Sequence, residues 1–446
     1  VVAWNALSRE KPLKQARAQN GGAAEREMPT RQAAPVRARN PYLVLAMLMA
    51  VYIFSYVDRL LLSVLAEPVK ADLKLNDTQM GLLGGLAFAL LYSTMGVPLA
   101  LVADRFGRSR IITISLAAWS AFTALCGLTT SFWQMFLARL GVGIGEAGGG
   151  APSYALITDT FPAEKRARAT GIYMMAIPIG SAAGAFLGAW IASRVDWRLA
   201  FIVMGLAGLM LVLPFRLIVR DPPGGAASRG EPAPLVEAFA ELGRKPSFWL
   251  VCLATGIGSM CTYGLNFWLP SVLGRSFGLD IFDRGLVYAL LVLIGGSIGM
   301  LLGGYLGDRY GRTNRAAYGV IPALSMWASV PLFAIGLLSS DITTAFLWLL
   351  VPQILSYLWS VPALTSAQHL APQRYRATAA ACVLFFSNAI GFGIGTPVMG
   401  WLSDIMREAH GENSLRQAML AILSLYLVAG ALMMWAARFL NRDWVD

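Results

Sequence analysis

The sequence predicts an all-α polytopic membrane protein, with twelve transmembrane helices arranged as two pseudo-symmetric six-helix bundles. Three observations predict it. Of 446 residues, 57% are hydrophobic and only 14% charged, where a soluble chain carries roughly 25% charged residues. The apolar residues fall in runs of about 20 to 27, long enough for a helix to cross a hydrocarbon core of roughly 30 Å. Short charged motifs recur at matching places in the two halves. A soluble all-α chain would have to hide helices that are apolar all round, which takes lipid or a very large core.

Residues 1–40 hold eight Lys or Arg and three Glu and no apolar segment. They are expected to form a disordered cytoplasmic tail without a signal-peptide core, able to attach weakly to anionic lipid. Spans at 41–66, 78–102, 109–130, 132–154, 167–193 and 197–219 make the first bundle, 41–219. A cytoplasmic linker, 220–246, is rich in Pro, Gly and charge, and Leu235 to Leu242 within it suits a short amphipathic helix. Spans at 247–272, 283–305, 313–337, 341–366, 374–402 and 416–439 make the second bundle, 247–439, and 440–446 is a short cytoplasmic C-terminus.

The net charge of +11 would suggest nucleic acid in a soluble chain. Its placement argues against that partner. Basic residues cluster in alternate loops, at Arg105, Arg108 and Arg110, at Lys165, Arg166 and Arg168, at Arg309, Arg312 and Arg315, and at Arg374 and Arg376, while Glu67 to Asp77 is balanced. This positive-inside bias places both termini in the cytoplasm. Cys126, Cys252, Cys261 and Cys382 lie within apolar spans and read as packing residues, not disulfides or metal ligands. An enzyme is not expected. The run Gly141 to Gly150 is not followed by Gly-Lys-Ser/Thr and so is no phosphate loop. His369 and His410 stand alone. No catalytic residue, metal or cofactor is predicted.

The halves repeat. "ADRFGRSR" (103–110) follows the second span and "GDRYGRTNR" (307–315) the eighth; "FPAEKRARATG" (161–171) follows the fourth and "APQRYRATAAA" (371–381) the tenth. Two matches in equivalent positions indicate duplication, with a substrate path between the halves. The pattern Gly304-x-x-x-Asp308-Arg309-x-Gly311-Arg312 resembles the loop signature of the major facilitator superfamily. In the first copy Ala100 replaces the leading glycine, while Asp104, Arg105, Gly107 and Arg108 are intact. The resemblance implies that Asp104, Arg105, Arg108, Asp308, Arg309 and Arg312 form a cytoplasmic gate that closes and releases during turnover.

Charges also lie inside spans. Asp58 and Arg59 interrupt the first, and Arg139 and Glu146 the fourth. An ionised side chain at that depth costs at least roughly 2.5–3.5 kcal/mol unless paired or facing a cavity. Arg139 and Glu146, two helical turns apart, share one face and are expected to pair. A static ion-pair network is one reading. The other is a proton relay in which Asp58 is the first carrier and Glu146 the second, with Arg59 and Arg139 as switching counter-charges, or one of them as the anchor for an anionic headgroup. A proton gradient is then the energy source. The second half offers a largely apolar wall, with Phe267 among its aromatics and scattered hydrogen-bonding groups at Tyr263, Asn266, Tyr357 and Asn388. With Tyr56 and Arg139 these are the candidate substrate contacts. A cavity charged on one wall and apolar on the other suits an amphiphile.

"YVDRLLLSVL", "RLGVGIGEAGGGAPSYALITDTFP" and "VADRFGR" together resemble the Spinster family, in the form of a bacterial-type homologue. The resemblance covers the first 170 residues best, and in the second half rests on "GDRYGR" and the glycine-rich 391–402 region. It implies a proton-linked mover of a single-chain lipid, of lysophospholipid or sphingosine-1-phosphate type, working as a monomer in a bacterial inner membrane. The run Gly148 to Gly150 departs from the Ser/Tyr-containing stretch expected after the Glu. Alternatives are an organic-anion symporter or a polyspecific drug exporter of the same superfamily, and, from another class, an uncoupled lipid scramblase.

Overall fold

The helices begin where the sequence supplies acceptors for their first free N–H groups. In the computed structural model, which describes residues 40–221 and 235–445, Asn76, Ser131, Asp196, Asp280 and Asp341 each accept the backbone N–H three residues on. These caps open the second, fourth, sixth, eighth and tenth spans, all at the end remote from the arginine-rich loops. That end is called distal below.

Regular structure among the described residues is entirely helical. Among the described residues ten helices are long and apolar enough to cross a membrane: Pro41–Val64, Arg108–Cys126, Glu164–Arg194, Trp197–Ile218, Pro246–Phe277, Ile281–Gly311, Ala317–Leu338, Ile342–His369, Gln373–Ile405 and Arg407–Asp443. The second span is the pair Asp77–Gly96 and Pro98–Phe106, bent by 49° at its break, where Pro98 supplies no N–H to the preceding turn. The fourth is split into Phe132–Ala147 and Gly150–Thr160. The glycines that weaken it also let it sit close to the third span: a Cβ on Gly145 would lie 2.6 Å from the backbone nitrogen of Trp119, and one on Gly148 2.2 Å from Ser115 Oγ.

The eighth helix runs to Gly311, beyond the expected 305, because the polar motif continues the helix past the apolar run. The amphipathic helix is present as Leu235–Gly243. Residues 1–39 of the expected tail and 222–234 of the linker lie outside the described residues. The four cysteines are free.

Helices of the two repeats pack on one another toward the distal end. Gly285 meets Ala185 and Ala189, Gly81 meets Thr396 and Pro397, and Gly400 meets the backbone of Asp77. A π-helical turn, Gly391–Gly395, interrupts the eleventh span. It carries Phe392, which stacks on Tyr263 with ring centres 3.8 Å apart and meets Phe88 edge-on at 5.7 Å. An aromatic seam therefore joins the second, seventh and eleventh spans.

Candidate functional site

Asp58 and Arg59 are neighbours in sequence, so a helix points them about 100° apart. The two side chains consequently reach different helices. Arg59 Nε donates to Glu146 Oε2 at 2.7 Å, and Ser55 Oγ donates to the same oxygen at 2.8 Å. Asp58 Oδ2 accepts from Thr123 Oγ1 of the third span at 3.0 Å. All four charged groups are sealed from solvent: Asp58 is 2% exposed, Arg59 8%, Arg139 2% and Glu146 3%.

The Arg59 guanidinium carbon lies 4.9 Å from the Tyr56 ring centre, 4.8 Å from Phe88 and 4.7 Å from Tyr92. A cation held in this way gains from each ring quadrupole, the more so when desolvated. Arg139 lies 5.7 Å from the Phe88 ring centre, so one phenylalanine separates two cations. Asp58 is within Coulombic range of Arg139, Arg59 and Glu146. The cluster is incompletely bonded: Asp58 Oδ1, Glu146 Oε1 and Arg139 Nε are buried without a hydrogen-bond partner.

The expected Arg139–Glu146 pair is not formed; Glu146 pairs with Arg59 across helices. Two turns rise about 10.5 Å along a helix, so a shared face does not bring those two ends together, whereas the first span lies alongside. Tyr56 is in the cluster. Asn266 and Tyr357 meet, with Asn266 Nδ2 donating to Tyr357 Oη at 3.3 Å, and Asn266 Oδ1 accepts from Gln353 Nε2 at 3.1 Å. Tyr263 belongs to the aromatic seam. Phe267 is a wedge between repeats, its ring filling the space that a Cβ on Gly84 would need. Asn388 turns its amide back to the carbonyl of Leu384 at 2.8 Å.

The two arginine-rich loops differ. In the first copy Arg108 holds Asp104 at 2.8 Å and also pairs with Asp159, while Arg105 lies over Phe106. Gly107 has φ +100°, and a Cβ there would sit 2.7 Å from Asp221 Oδ2, which accepts from Ser109 Oγ at 2.8 Å. The motif glycine is required by both facts. In the second copy Asp308, Arg309 and Arg312 are exposed and form no ion pair among the described residues.

Sequence reasoning missed the distal ionic cluster. Arg275, near the end of the seventh span, bonds Asp77 through Nη1 and Nη2 at 2.7 Å each and Glu67 through Nε at 2.9 Å. Lys70 pairs with the same Asp77, and Ser403 Oγ donates to it at 2.7 Å. Asp404 receives the N–H of Asp77 at 3.1 Å and of Thr78 at 2.8 Å. The balanced charge of Glu67–Asp77 was the signal; its partner Arg275 lies some 200 residues away, which spacing cannot reveal.

Residues 48–396 match the Major Facilitator Superfamily family model, and the chain belongs to that superfamily. It is homologous to Spinster proteins. It is 26% identical over 431 residues to human Protein spinster homolog 1, covering 90% of this chain and 81% of that one. It is 32% identical over 411 residues to an MFS-type efflux pump of Mycolicibacterium smegmatis, covering 92% and 95%. Its structure superposes with a TM-score of 0.82, at 28% identity, on a bacterial homolog to the human lysosomal transporter Spinster in an inward-facing and unoccupied conformation, covering 91% of this chain and 98% of that chain. The chain is thus a multi-pass integral membrane transporter of the Spinster type and not an enzyme.

Proposed function

We propose that this transporter moves a single-chain amphiphilic lipid, of lysophospholipid or sphingosine-1-phosphate type, by proton-coupled alternating access. The observation that carries the reading is the asymmetry of the buried acids. Glu146 has a cation in contact at 2.7 Å. Asp58, 2% exposed, has one hydroxyl partner and one bare oxygen. A proton on Asp58 cancels a charge that nothing in direct contact neutralises. Its loss leaves a carboxylate for which Arg59 and Arg139 are the available counter-charges, at the expense of the Arg59–Glu146 contact. The proton state of Asp58 thereby biases which cross-helix pair forms, and with it how the first, third and fourth spans sit together.

Tyr56, Arg139, Tyr263, Asn266, Phe267, Tyr357 and Asn388 are the proposed substrate contacts, Phe267 and Asn388 after local rearrangement. Arginine beside aromatic surface fits a charged head joined to an apolar chain. Packing of the repeats at the distal end, together with Asp308, Arg309 and Arg312, exposed and without an ion pair among the described residues, supports a state open toward the arginine-rich loops. We place those loops and both termini in the cytoplasm, and the chain as a monomer in a bacterial inner membrane. The deciding experiment is flux of a labelled lysophospholipid across liposomes holding the purified chain, with and without a pH gradient. Gradient-dependent accumulation is expected. Flux that only equilibrates marks a uniporter or scramblase and removes Asp58 from energy coupling.

A second reading, export of drug-like amphiphiles, is favoured by the 32% identity to an efflux pump. In the same liposomes, a cationic dye that accumulates while the lysophospholipid neither moves nor competes supports it.

A further inference from the structure

The seventh span carries Pro270 inside the helix Pro246–Phe277. Proline has no N–H, so the carbonyl four residues earlier loses its helical partner. Here that carbonyl belongs to Asn266. A bare carbonyl in an apolar interior must find another donor. Tyr288 Oη of the eighth span donates to it at 2.7 Å, and Ser63 Oγ of the first span reaches it at 3.1 Å. Ser63 has one hydroxyl hydrogen, which it shares between that carbonyl and the nearer one of Phe267, at 2.7 Å. Both donors are sealed, Ser63 at 1% and Tyr288 at 0% exposure.

The donors differ in origin. Tyr288 comes from the same repeat as Pro270, while Ser63 comes from the other repeat, at the distal end where the repeats meet. The side chain of Asn266 is fastened to the tenth span, through Gln353 at 3.1 Å and Tyr357 at 3.3 Å. Gln353 is 1% exposed and its Oε1 has no partner. The amide network therefore has one acceptor unused and can be rearranged without breaking a bond to that atom.

We propose that Ser63 is a positioning residue for transport: by bridging the carbonyls of Asn266, which Pro270 frees, and of Phe267, it ties distal closure to the Pro270 bend and so to the placement of the Asn266 amide. When the first span moves away from the seventh, the carbonyl keeps Tyr288 alone, and the Pro270 bend is free to change. Asn266, Gln353 and Tyr357 then follow the seventh span. The link to substrate rests on Asn266 being a substrate contact; the link between Ser63 and distal closure does not.

The test uses the full chain in lipid nanodiscs, with Cys382→Ser as background and spin labels at Val195→Cys and Ser340→Cys, two positions on distal loops of opposite repeats. Ser63→Ala is expected to raise the population with long label–label distances by roughly five- to tenfold, the worth of one hydrogen bond. Pro270→Ala restores the helical N–H, and in that background Ser63→Ala is expected to shift the distances at most about twofold. Tyr288→Phe leaves Ser63 as the carbonyl's remaining donor, so there the Ser63→Ala effect is expected to grow. Equal Ser63→Ala shifts in all three backgrounds, or none in any, overturn the proposal. Lysophospholipid flux is a separate arm. A KM raised by Ser63→Ala and restored by Pro270→Ala supports the substrate link. Altered distances with unchanged KM remove Asn266 as a contact while leaving the distal link standing.

Discussion

Two buried acids, Asp77 and Asp58, have opposite surroundings. Asp77 is saturated: Lys70, Arg275 twice and Ser403 donate to its two oxygens, and its side chain is fully buried. Asp58 has one donor, Thr123, and one bare oxygen. Both are carboxylates in the same protein, each close to an arginine in space or in sequence. The difference teaches how to separate a fastening from a switch. A charge whose every lone pair is used has one stable arrangement, and a charge with unused valence can change partners or bind a proton at small cost.

The largest effect is expected at the fastening. Asp77→Ala strands Arg275 and Lys70 beside Glu67 alone, and removing one partner of a buried pair costs about 3–5 kcal/mol. The thermal midpoint of the purified chain should fall by several degrees, and the distal end should open. A midpoint within a degree of the parent would show that Asp77 is no fastening. Asp58→Asn comes next. The amide still accepts from Thr123 but takes up no proton, so gradient-driven flux is expected to drop by about a hundredfold or more, equivalent to about 2.7 kcal/mol, with substrate binding retained. Proton-driven rates equal to the parent would erase the contrast between the two acids.

Third is a pair that sharpens the cluster itself. Arg59→Ala leaves Glu146 with Ser55 as its one donor and empties a site lined by Tyr56, Phe88 and Tyr92. The hydroxyl of Ser55, which stays on Glu146, limits the loss to about 2 kcal/mol. Arg139→Ala removes a guanidinium whose Nε is already unpartnered and leaves the Glu146 contact intact, so about 1 kcal/mol is expected. Thermal unfolding of both variants should rank them in that order. The reverse order would reinstate the pairing of Arg139 with Glu146 along one helix.

How much of this was legible follows from the range of the interactions. Hydropathy gave the spans because the bilayer imposes their length, and the repeated Asp-Arg-x-Gly-Arg motif is local. Asp58, Arg59, Arg139 and Glu146 stood out because charge is rare in an apolar run. Their partners did not, since Thr123, Ser55 and Phe88 are ordinary residues in ordinary spans and become special only through helix packing. The expected Arg139–Glu146 pair failed for the same reason: periodicity reports a shared face, not the helix that covers it. Arg275 lies just past the apolar run of the seventh span, and only folding brings Glu67 and Asp77 to it. Pro270 was visible, but the donors to the carbonyl it frees come from two other spans.

The smallest effect is expected at the opposite end from Asp77. Arg309 is exposed and makes no ion pair among the described residues, unlike Arg108, which binds Asp104 and Asp159. Arg309→Ala should change stability by no more than about 0.5 kcal/mol, as for surface substitutions generally. Arg108→Ala should cost more, because it releases two acids at once from a group only 5% exposed. On the gate reading of these loops, the small stability effect at Arg309 conceals a kinetic role: Arg309→Ala should slow or uncouple flux while leaving the thermal midpoint unmoved. A variant normal in both would leave the second loop with topology as its sole task, and the two copies of the motif would then have diverged from gate to marker.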